Sequence, residues 1–182
     1  MKNIAIFASG NGSNFEGLVR ADLKCVIKVL ICNNKDAYAI KRAKNLNIAC
    51  EIVCLEDFVS NFEYEKKIIE LLKEYQIDLI VLAGYLKIFS KEFVELYERS
   101  IINLHPSKLP KYRGLNAIER AFNAGECEIG VSIHYVDSGV DTGEVIACET
   151  VKIEKGDSLS VVEDKVHKKE HELYPRVLEE IL

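Results

Sequence analysis

Short apolar runs alternate with longer segments of helical period along the first hundred residues. The runs rich in β-branched residues lie at 4–8, 26–31, 51–55 and 78–84. Between the last two runs, apolar residues recur at a spacing near 3.6 and predict one face of a helix over 62–75. These residues are Phe62, Ile68, Ile69, Leu72 and Tyr75. The alternation predicts an α/β fold, with an open, mostly parallel twisted sheet flanked by helices on both sides.

The pattern changes after residue 100. Two strand-like runs, 129–138 and 143–153, are joined by the short turn GVDT, which predicts an antiparallel C-terminal part of the sheet. From about Ser158 to Leu182 the apolar spacing is again helical, with a kink expected at Pro175. Because no repeat, low-complexity tract or linker divides the 182 residues, we expect a single domain over 1–182.

Composition and charge exclude several partners. The chain carries 29 acidic and 24 basic residues, a net charge of −5, so its overall field repels a polyanion and no nucleic-acid partner is expected. No segment approaches the roughly 20 apolar residues needed to cross a bilayer. The six cysteines lie mostly in apolar runs and form no C-x-x-C pair, which is typical of reduced thiols. The N-terminal apolar run is too short for a signal peptide, and we expect a cytoplasmic protein.

Four polar segments that contain glycine or proline are predicted loops, and they lie at 9–14, 84–90, 104–117 and 137–143. In an open α/β sheet, ligands bind at loops beyond the carboxyl ends of the strands. The loop SGNGSN follows the first strand and opens a helix, where backbone N–H groups favour a phosphate. It does not complete the dinucleotide pattern, because Phe15 stands at the third glycine position. The alternative is a tight turn in which Ser13 or Asn14 caps the helix.

Asn103 and His105 lie two residues apart at the end of an apolar run, ahead of a proline-containing loop. A single histidine there is more often structural than catalytic. Side chains alternate along a strand, however, so both would project to the same side, and two N–H groups that converge in this way can hold an oxyanion. Asp137 and Asp141 follow a later strand. A carboxylate near His105 would raise its pKa and keep it protonated near neutral pH, whereas the alternative for Asp141 is a turn residue.

Other chemistries lack support. No serine has the setting of a nucleophile, since Ser107 lies between Pro106 and Lys108. The four histidines form no H-E-x-x-H motif, so we expect no metal. His134 either faces the same cleft as His105 or packs within the sheet, and packing is the favoured interpretation. The residues therefore indicate metal-free acyl transfer without a covalent enzyme intermediate.

These segments together resemble the folate-dependent formyltransferases, over nearly the whole chain. The stretches that carry the resemblance are SGNGSN (9–14), VLAGYLKI (81–88), NLHPSKLPKYRG (103–114), GVSIHYVDSGVDTGEVI (130–146) and EHELYP (170–175). The resemblance implies a Rossmann-like formyltransferase fold. Its N-terminal half, about 1–100, would bind a phosphate, and its other half, about 80–182, would bind folate and carry the catalytic groups. The N-terminal loop and the short length are similar to the branch that acts on glycinamide ribonucleotide.

The resemblance also implies roles for individual residues. The catalytic residues would be Asn103, His105 and Asp141. Glycinamide ribonucleotide would be bound by Gly12, Ser13, Asn14, His167, Lys168, Lys169 and Glu170. The co-substrate, 10-formyltetrahydrofolate, would be bound by Leu86, Lys87, Ile88, Phe89, Asn103, Val136, Asp137, Ser138, Gly139, Val140 and Asp141. An arginine that relatives often carry ahead of the central strand is absent, and Asn61 falls near its place.

Four rival functions fit the sequence less well. A methionyl-tRNA formyltransferase would need an RNA-binding domain and basic surface, and a formyltetrahydrofolate deformylase usually carries an extra N-terminal domain. A sugar-nucleotide formyltransferase would share the chemistry with another amine. A phosphoribosyl-binding module without turnover would not need Asn103, His105 and Asp141. We expect a transferase that is a monomer or homodimer.

Overall fold

One seven-stranded sheet forms the centre of the molecule, and the computed structural model describes all residues from Met1 to Leu182. The strands are β1 (Lys2–Ala8), β2 (Cys25–Cys32), β3 (Ala49–Ile52), β4 (Leu79–Leu82), β5 (Ile101–His105), β6 (Glu128–Tyr135) and β7 (Val145–Lys152). Their order is β3-β2-β1-β4-β5-β6-β7. The pairs among β1 to β5 are parallel, and β6 is antiparallel to both β5 and β7. The predicted mostly parallel sheet with an antiparallel C-terminal part is confirmed.

Six α-helices surround the sheet. They are α1 (Ser13–Arg20), α2 (Tyr38–Asn45), α3 (Asn61–Glu74), α4 (Lys91–Leu96), α5 (Ala117–Asn123) and α6 (Leu159–Ile181). The Ser158 side chain caps α6 by accepting the Val161 N–H, and the helix continues through Pro175. No helix is both long and apolar enough to span a membrane.

The sheet is buried on both faces, as a parallel sheet requires. Alternate residues of β1 enter different cores: Ile4 and Ile6 pack with α1, α2, α5 and α6, whereas Phe7 packs with α3 and α4. Both faces are therefore apolar along the inner strands. This explains why these strands appear in the sequence as continuous apolar runs.

Two local predictions need correction. Phe62 does not share the buried face of α3, because its side chain is 77% exposed while Ile68 and Leu72 are buried. Six helical residues correspond to a rotation of about 600°, which places Phe62 roughly 120° away from Ile68. The third strand ends at Ile52, earlier than the predicted run 51–55, because the chain leaves the sheet and forms a short 3₁₀ turn at Leu55–Asp57.

The topological switch point of the sheet lies between the parallel strands β1 and β4. From β1 the chain adds β2 and β3 on one side, and from β4 it adds β5 on the other side. The loops after two such strands diverge to opposite faces and leave a crevice at the carboxyl ends of the strands. The loops after β1, β4 and β5 therefore meet there, as does the loop between β6 and β7.

Candidate active site

A cleft of about 500 Å³ lies in this crevice, between the strand ends and α6. It is lined by residues from all the segments for which the sequence predicts a function. These include Gly12, Ser13, Asn14, Leu86, Lys87, Ile88, Phe89, Asn103, His105, Val136, Asp137, Gly139, Val140, Asp141, His167 and Glu170. Ser138, Lys168 and Lys169 are not among the residues that line it.

The loop after β1 forms one end of the cleft. Gly12 is the N-cap of α1 at φ +75°, and it makes no side-chain cap. The interpretation of Ser13 or Asn14 as the cap is therefore wrong, since both lie inside the first helical turn. A Cβ on residue 12 would lie 2.6 Å from the Cβ of Ala39, so both the backbone angle and the packing require glycine. The N–H groups of this first turn have no partner within the helix and are available to an anion.

Helix α6 meets this loop through Glu170, which is buried. The Asn14 side-chain amide donates to Glu170 Oε2 at 2.9 Å, and His167 Nδ1 lies 3.1 Å from the same oxygen. The hydrogen bond with Glu170 raises the pKa of His167. Residues three apart share a helix face, so His167 and Glu170 both reach the cleft. Lys169 lies on another face, where it pairs with Glu149 and Glu172 at 3.0 Å each.

Two loops line the other end of the cleft, where the folate is expected. In the first, the Leu86 N–H donates to Ser9 Oγ at 2.9 Å, which ties this loop to the end of β1. Phe89 is buried and stacks on Phe93 at 4.2 Å between ring centroids. In the second loop, Asp137 Oδ1 accepts the Gly139 N–H at 3.0 Å and the Thr142 hydroxyl at 2.6 Å. Asp137 therefore shapes its own turn.

The centre of the cleft holds an amide, two imidazoles and a carboxylate. Asn103 on β5 is paired in register with His134 on β6, and its Nδ2 lies 3.2 Å from His134 Nε2. Asp141 Oδ1 lies 3.4 Å from both Asn103 Nδ2 and His134 Nε2. Asp141 Oδ2 lies 3.3 Å from His105 Nδ1. One carboxylate thus contacts the other three groups, and the structure brings together the predicted set Asn103, His105 and Asp141.

The loop after β5 also contacts this cluster, through its backbone groups. The Gly114 N–H donates to Asp141 Oδ2 at 2.8 Å, and His105 Nε2 lies 2.9 Å from the Tyr112 carbonyl oxygen. A carbonyl can only accept, so Nε2 carries the proton of a neutral His105 ring. His105 Nδ1, the nitrogen that faces Asp141, is then the one that titrates.

Burial and charge act in opposite directions on these groups. Burial lowers the pKa of His105, and this outweighs the raising effects of the Tyr112 carbonyl and of Asp141. The prediction that Asp141 keeps His105 protonated near neutral pH is therefore wrong for the protein without ligand. Burial by itself would raise the pKa of Asp141. The interaction with His134, the Gly114 N–H and the positive charge of His105 in its protonated form reverse this and lower the pKa of Asp141 to about 2.

His134 both packs within the sheet and faces the cleft, so the two interpretations that its sequence left open do not exclude each other. It is buried, as packing within the sheet requires, but its Nε2 faces Asn103 and Asp141, so packing is not its only role. Its Nδ1 lies 2.8 Å from the Tyr135 carbonyl oxygen, which leaves Nε2 as an acceptor in the neutral ring. The alternation within 129–138 was compatible with this orientation, but only the register between β5 and β6 places His134 opposite Asn103.

Comparison with known proteins reveals close relatives. The formyl transferase family model matches residues 2–178. A phosphoribosylglycinamide formyltransferase of Bacillus subtilis (strain 168) is 38% identical over 186 residues, covering 100% of this chain and 95% of the relative. The crystal structure of a phosphoribosylglycinamide formyltransferase from Streptococcus pneumoniae TIGR4 matches with a TM-score of 0.95 at 42% identity, covering 100% of this chain and 99% of the other. Another, from Bacillus halodurans, matches with a TM-score of 0.96 at 40% identity, covering 100% and 95%.

Proposed function

This chain belongs to the formyl transferase family, among the phosphoribosylglycinamide formyltransferases. From this membership we propose that it transfers the formyl group of 10-formyltetrahydrofolate to the amine of glycinamide ribonucleotide. The products are formylglycinamide ribonucleotide and tetrahydrofolate, in de novo purine synthesis. The observation that best supports this proposal is the position of one polar cluster, formed by Asn103, His105, His134 and Asp141. It lies in one cleft between the loop 9–14, which we call the anion-binding loop, and the loops 86–89 and 136–141, which we call the first and second folate loops.

The reaction is a direct acyl transfer. The amine lone pair of the acceptor attacks the formyl carbon, and the C=O electrons move to oxygen to give a tetrahedral oxyanion. This collapses by breaking the bond to N10 of the folate, which receives a proton, while the former amine loses one. No protein group becomes covalently attached, so the chain contributes by orientation, oxyanion stabilisation and proton transfer.

Asn103 and His105 stabilise the oxyanion. The contact from Asn103 Nδ2 to Asp141 is long, at 3.4 Å, so this N–H is available to a formyl oxygen while the other stays on His134. Developing negative charge beside His105 raises its pKa and offsets the effect of burial. Protonation at Nδ1 then occurs as the oxyanion forms. Asp141 balances the imidazolium charge and assists the proton transfers through water.

The substrates divide the cleft between them. Gly12, Ser13 and Asn14 bind the phosphate of glycinamide ribonucleotide, and Glu170 with His167 binds its ribose or amine. The loops 86–89 and 136–141 hold the pterin. The phosphate contacts then lie in the expected half 1–100 and the folate contacts in the half 80–182, which through Glu170 and His167 also reaches the ribonucleotide; the division into halves stays a prediction. The expectations of a cytoplasmic monomer or homodimer that needs no metal stay predictions.

The experiment is a spectrophotometric formyl-transfer assay with 10-formyltetrahydrofolate in three arms: glycinamide ribonucleotide, an amino-sugar nucleotide, and no acceptor. We expect transfer only in the first arm. Loss of formyl without an acceptor would indicate a deformylase, and transfer in the second arm alone would indicate a sugar-nucleotide enzyme. His105→Ala should remove most of the activity and leave ribonucleotide binding intact. His171→Ala, on the same chain but outside the cleft, is the matched control and should stay active.

A further inference from the structure

Helix α2 contacts the anion-binding loop at two successive peptide groups, although it contributes nothing to the reaction described above. The Ala39 N–H donates to the Gly10 carbonyl at 3.1 Å. One turn later, Arg42 Nε donates to the Asn11 carbonyl at 2.9 Å. The Arg42 guanidinium also donates to the side-chain oxygen of Asn11 at 2.9 Å. The carbonyls of Gly10 and Asn11, in the loop ahead of α1, thus both accept hydrogen bonds from α2.

These contacts determine where the loop N–H groups point. In a trans peptide unit the C=O and the following N–H project in opposite directions. Holding the Gly10 carbonyl towards α2 turns the Asn11 N–H away from α2, and holding the Asn11 carbonyl does the same for the Gly12 N–H. Gly10, Asn11 and Gly12 line the cleft. Two adjacent donors are therefore oriented away from α2 at the end of the cleft where the phosphate is expected.

Arg42 has a second effect, on charge. Its guanidinium pairs with Glu16, an acidic residue in the first turn of α1. A free carboxylate there would repel a phosphate bound at the same helix end. Arg20 pairs with Glu16 as well, at 2.7 Å, but its side chain is 65% exposed, against 23% for Arg42. Arg42 is thus the less solvated of the two partners, and the screening of its charge is weaker.

Each of the three nitrogens of the guanidinium takes part in these contacts. Its nitrogens bond to Asn11 and Glu16, and its carbon lies 4.9 Å above the centre of the Tyr38 ring. A lysine cannot reproduce this arrangement, because an ammonium is a point charge and lacks the planar fork. The loop also packs so closely on α2 that residue 12 cannot carry a side chain. The position of α2 and the conformation of the loop are therefore coupled.

We propose that Arg42 is a positioning residue for the acceptor phosphate: through the Asn11 carbonyl it orients the Gly12 N–H of the anion-binding loop, and through Glu16 it removes a repulsive charge. The inference rests on the proposed function for the identity of the acceptor. Arg42 acts through the loop, does not touch the reacting atoms, and makes no direct contact with the folate loops. Its removal should therefore affect one substrate and spare the other.

The test compares Arg42→Met with Arg20→Met in the formyl-transfer assay. Each variant removes one positive charge and one partner of Glu16, but only Arg42 holds the loop. We expect Arg42→Met to raise KM for glycinamide ribonucleotide about tenfold, as the loss of a charge-assisted hydrogen bond predicts. Its kcat and its KM for folate should stay within about twofold, and Arg20→Met should change nothing beyond about twofold. An unchanged KM for the ribonucleotide, or an equal rise in both KM values, would overturn the proposal.

Two additions keep the test decisive. Arg42→Lys should give an intermediate KM, because it keeps the charge and loses the fork, and it replaces Arg42→Met if that variant fails to fold. Calorimetric titration with ribose 5-phosphate measures the affinity of the anion-binding loop for a phosphate in the absence of turnover. If the wild-type protein binds this probe but transfers no formyl group, the proposed function fails. Weaker binding by Arg42→Met than by Arg20→Met would still support the role of Arg42, and equal binding would overturn it.

Discussion

Asp141 contacts His105 and His134 with different oxygens, and this division explains how four polar groups are buried together. The backbone of Asp141 has φ +51°, a left-handed conformation that non-glycine residues seldom adopt. The Gly114 N–H donates to Oδ2 of its carboxylate. Unpaired, each of these buried groups would carry a desolvation penalty. Within the cluster, each one satisfies another. The polar pairing within the cluster therefore depends on all four groups being present.

Replacement of Asp141 by asparagine should lower kcat by about 10²-fold or more, because the His105 imidazolium loses its counterion during transfer. The KM for either substrate should change much less, since asparagine keeps the size of the side chain and an oxygen that can accept the Gly114 N–H. A kcat profile across pH for wild type and variant is the measurement. A variant with wild-type kcat would contradict the role given to Asp141.

His134 offers a second test at the residue scale. We expect His134→Ala to lower kcat by about tenfold, because Asn103 loses the acceptor that orients its amide. His134→Gln presents a side-chain oxygen near the same place and should recover part of the loss. The two variants should be compared for kcat and for thermal unfolding. Equal kcat values for both would indicate that His134 only fills the sheet.

At the scale of elements, α3 holds both ends of the first folate loop. The Tyr64 hydroxyl bonds to the Tyr85 hydroxyl at one end of the loop. At the other end, the buried Glu65 accepts the Ser90 N–H at 2.7 Å and the Ser90 hydroxyl. Ser90 is also the N-cap of α4. The exposed residues between these anchors, including Leu86 and Ile88, are thus presented to the cleft by a fixed frame.

This arrangement predicts a selective defect. Glu65→Ala should raise KM for 10-formyltetrahydrofolate about fivefold and destabilise the fold by about 1–3 kcal/mol, since Ser90 loses its buried partner. Steady-state kinetics with each substrate, together with urea unfolding, measures both effects. Glu63→Ala, on the exposed side of the same helix, is the matched control and should change neither. A rise in KM for the ribonucleotide alone would contradict this view of α3.

At the scale of the whole molecule, the site lies where the parallel sheet reverses its strand order and its antiparallel part begins. β5 supplies Asn103 and His105, β6 supplies His134, and the β6–β7 connection supplies Asp141. The cluster therefore forms only when both parts of the sheet have assembled. Its ionisation is consequently linked to global stability.

The lowered pKa of Asp141, about 2 against 3.8 in the unfolded reference, predicts part of the acid sensitivity. Because the folded pKa is the lower one, this stabilisation is complete above about pH 4 and is lost as the pH falls towards about 2. It amounts to about 2 kcal/mol for this single group. Urea unfolding between pH 6 and pH 2 should give a weaker dependence on pH in Asp141→Asn than in wild type. Identical slopes would contradict the contribution of Asp141.

The sequence alone indicated the alternation of strands and helices in the first hundred residues, the antiparallel strand pair and the last helix, because apolar period is a local property. It also indicated Asn103 and His105, since alternation along one strand places them on the same side. The choice of Asp141 and the glycinamide branch came from resemblance. Phe62 and the end of β3 were misplaced because local spacing does not show which face the core covers or where the chain leaves a sheet.

Only the tertiary structure decided how distant segments meet. The register between β5 and β6 turned His134 towards Asn103, and the face of α6 separated Glu170 from Lys169. The contact of Arg42 with Asn11 joins segments that are 31 residues apart and has no signal in local periodicity. Burial lowered the pKa of His105 against the effect of its carboxylate. Desolvation and register arise from packing between elements, and for that reason a local pattern of residues could not contain them.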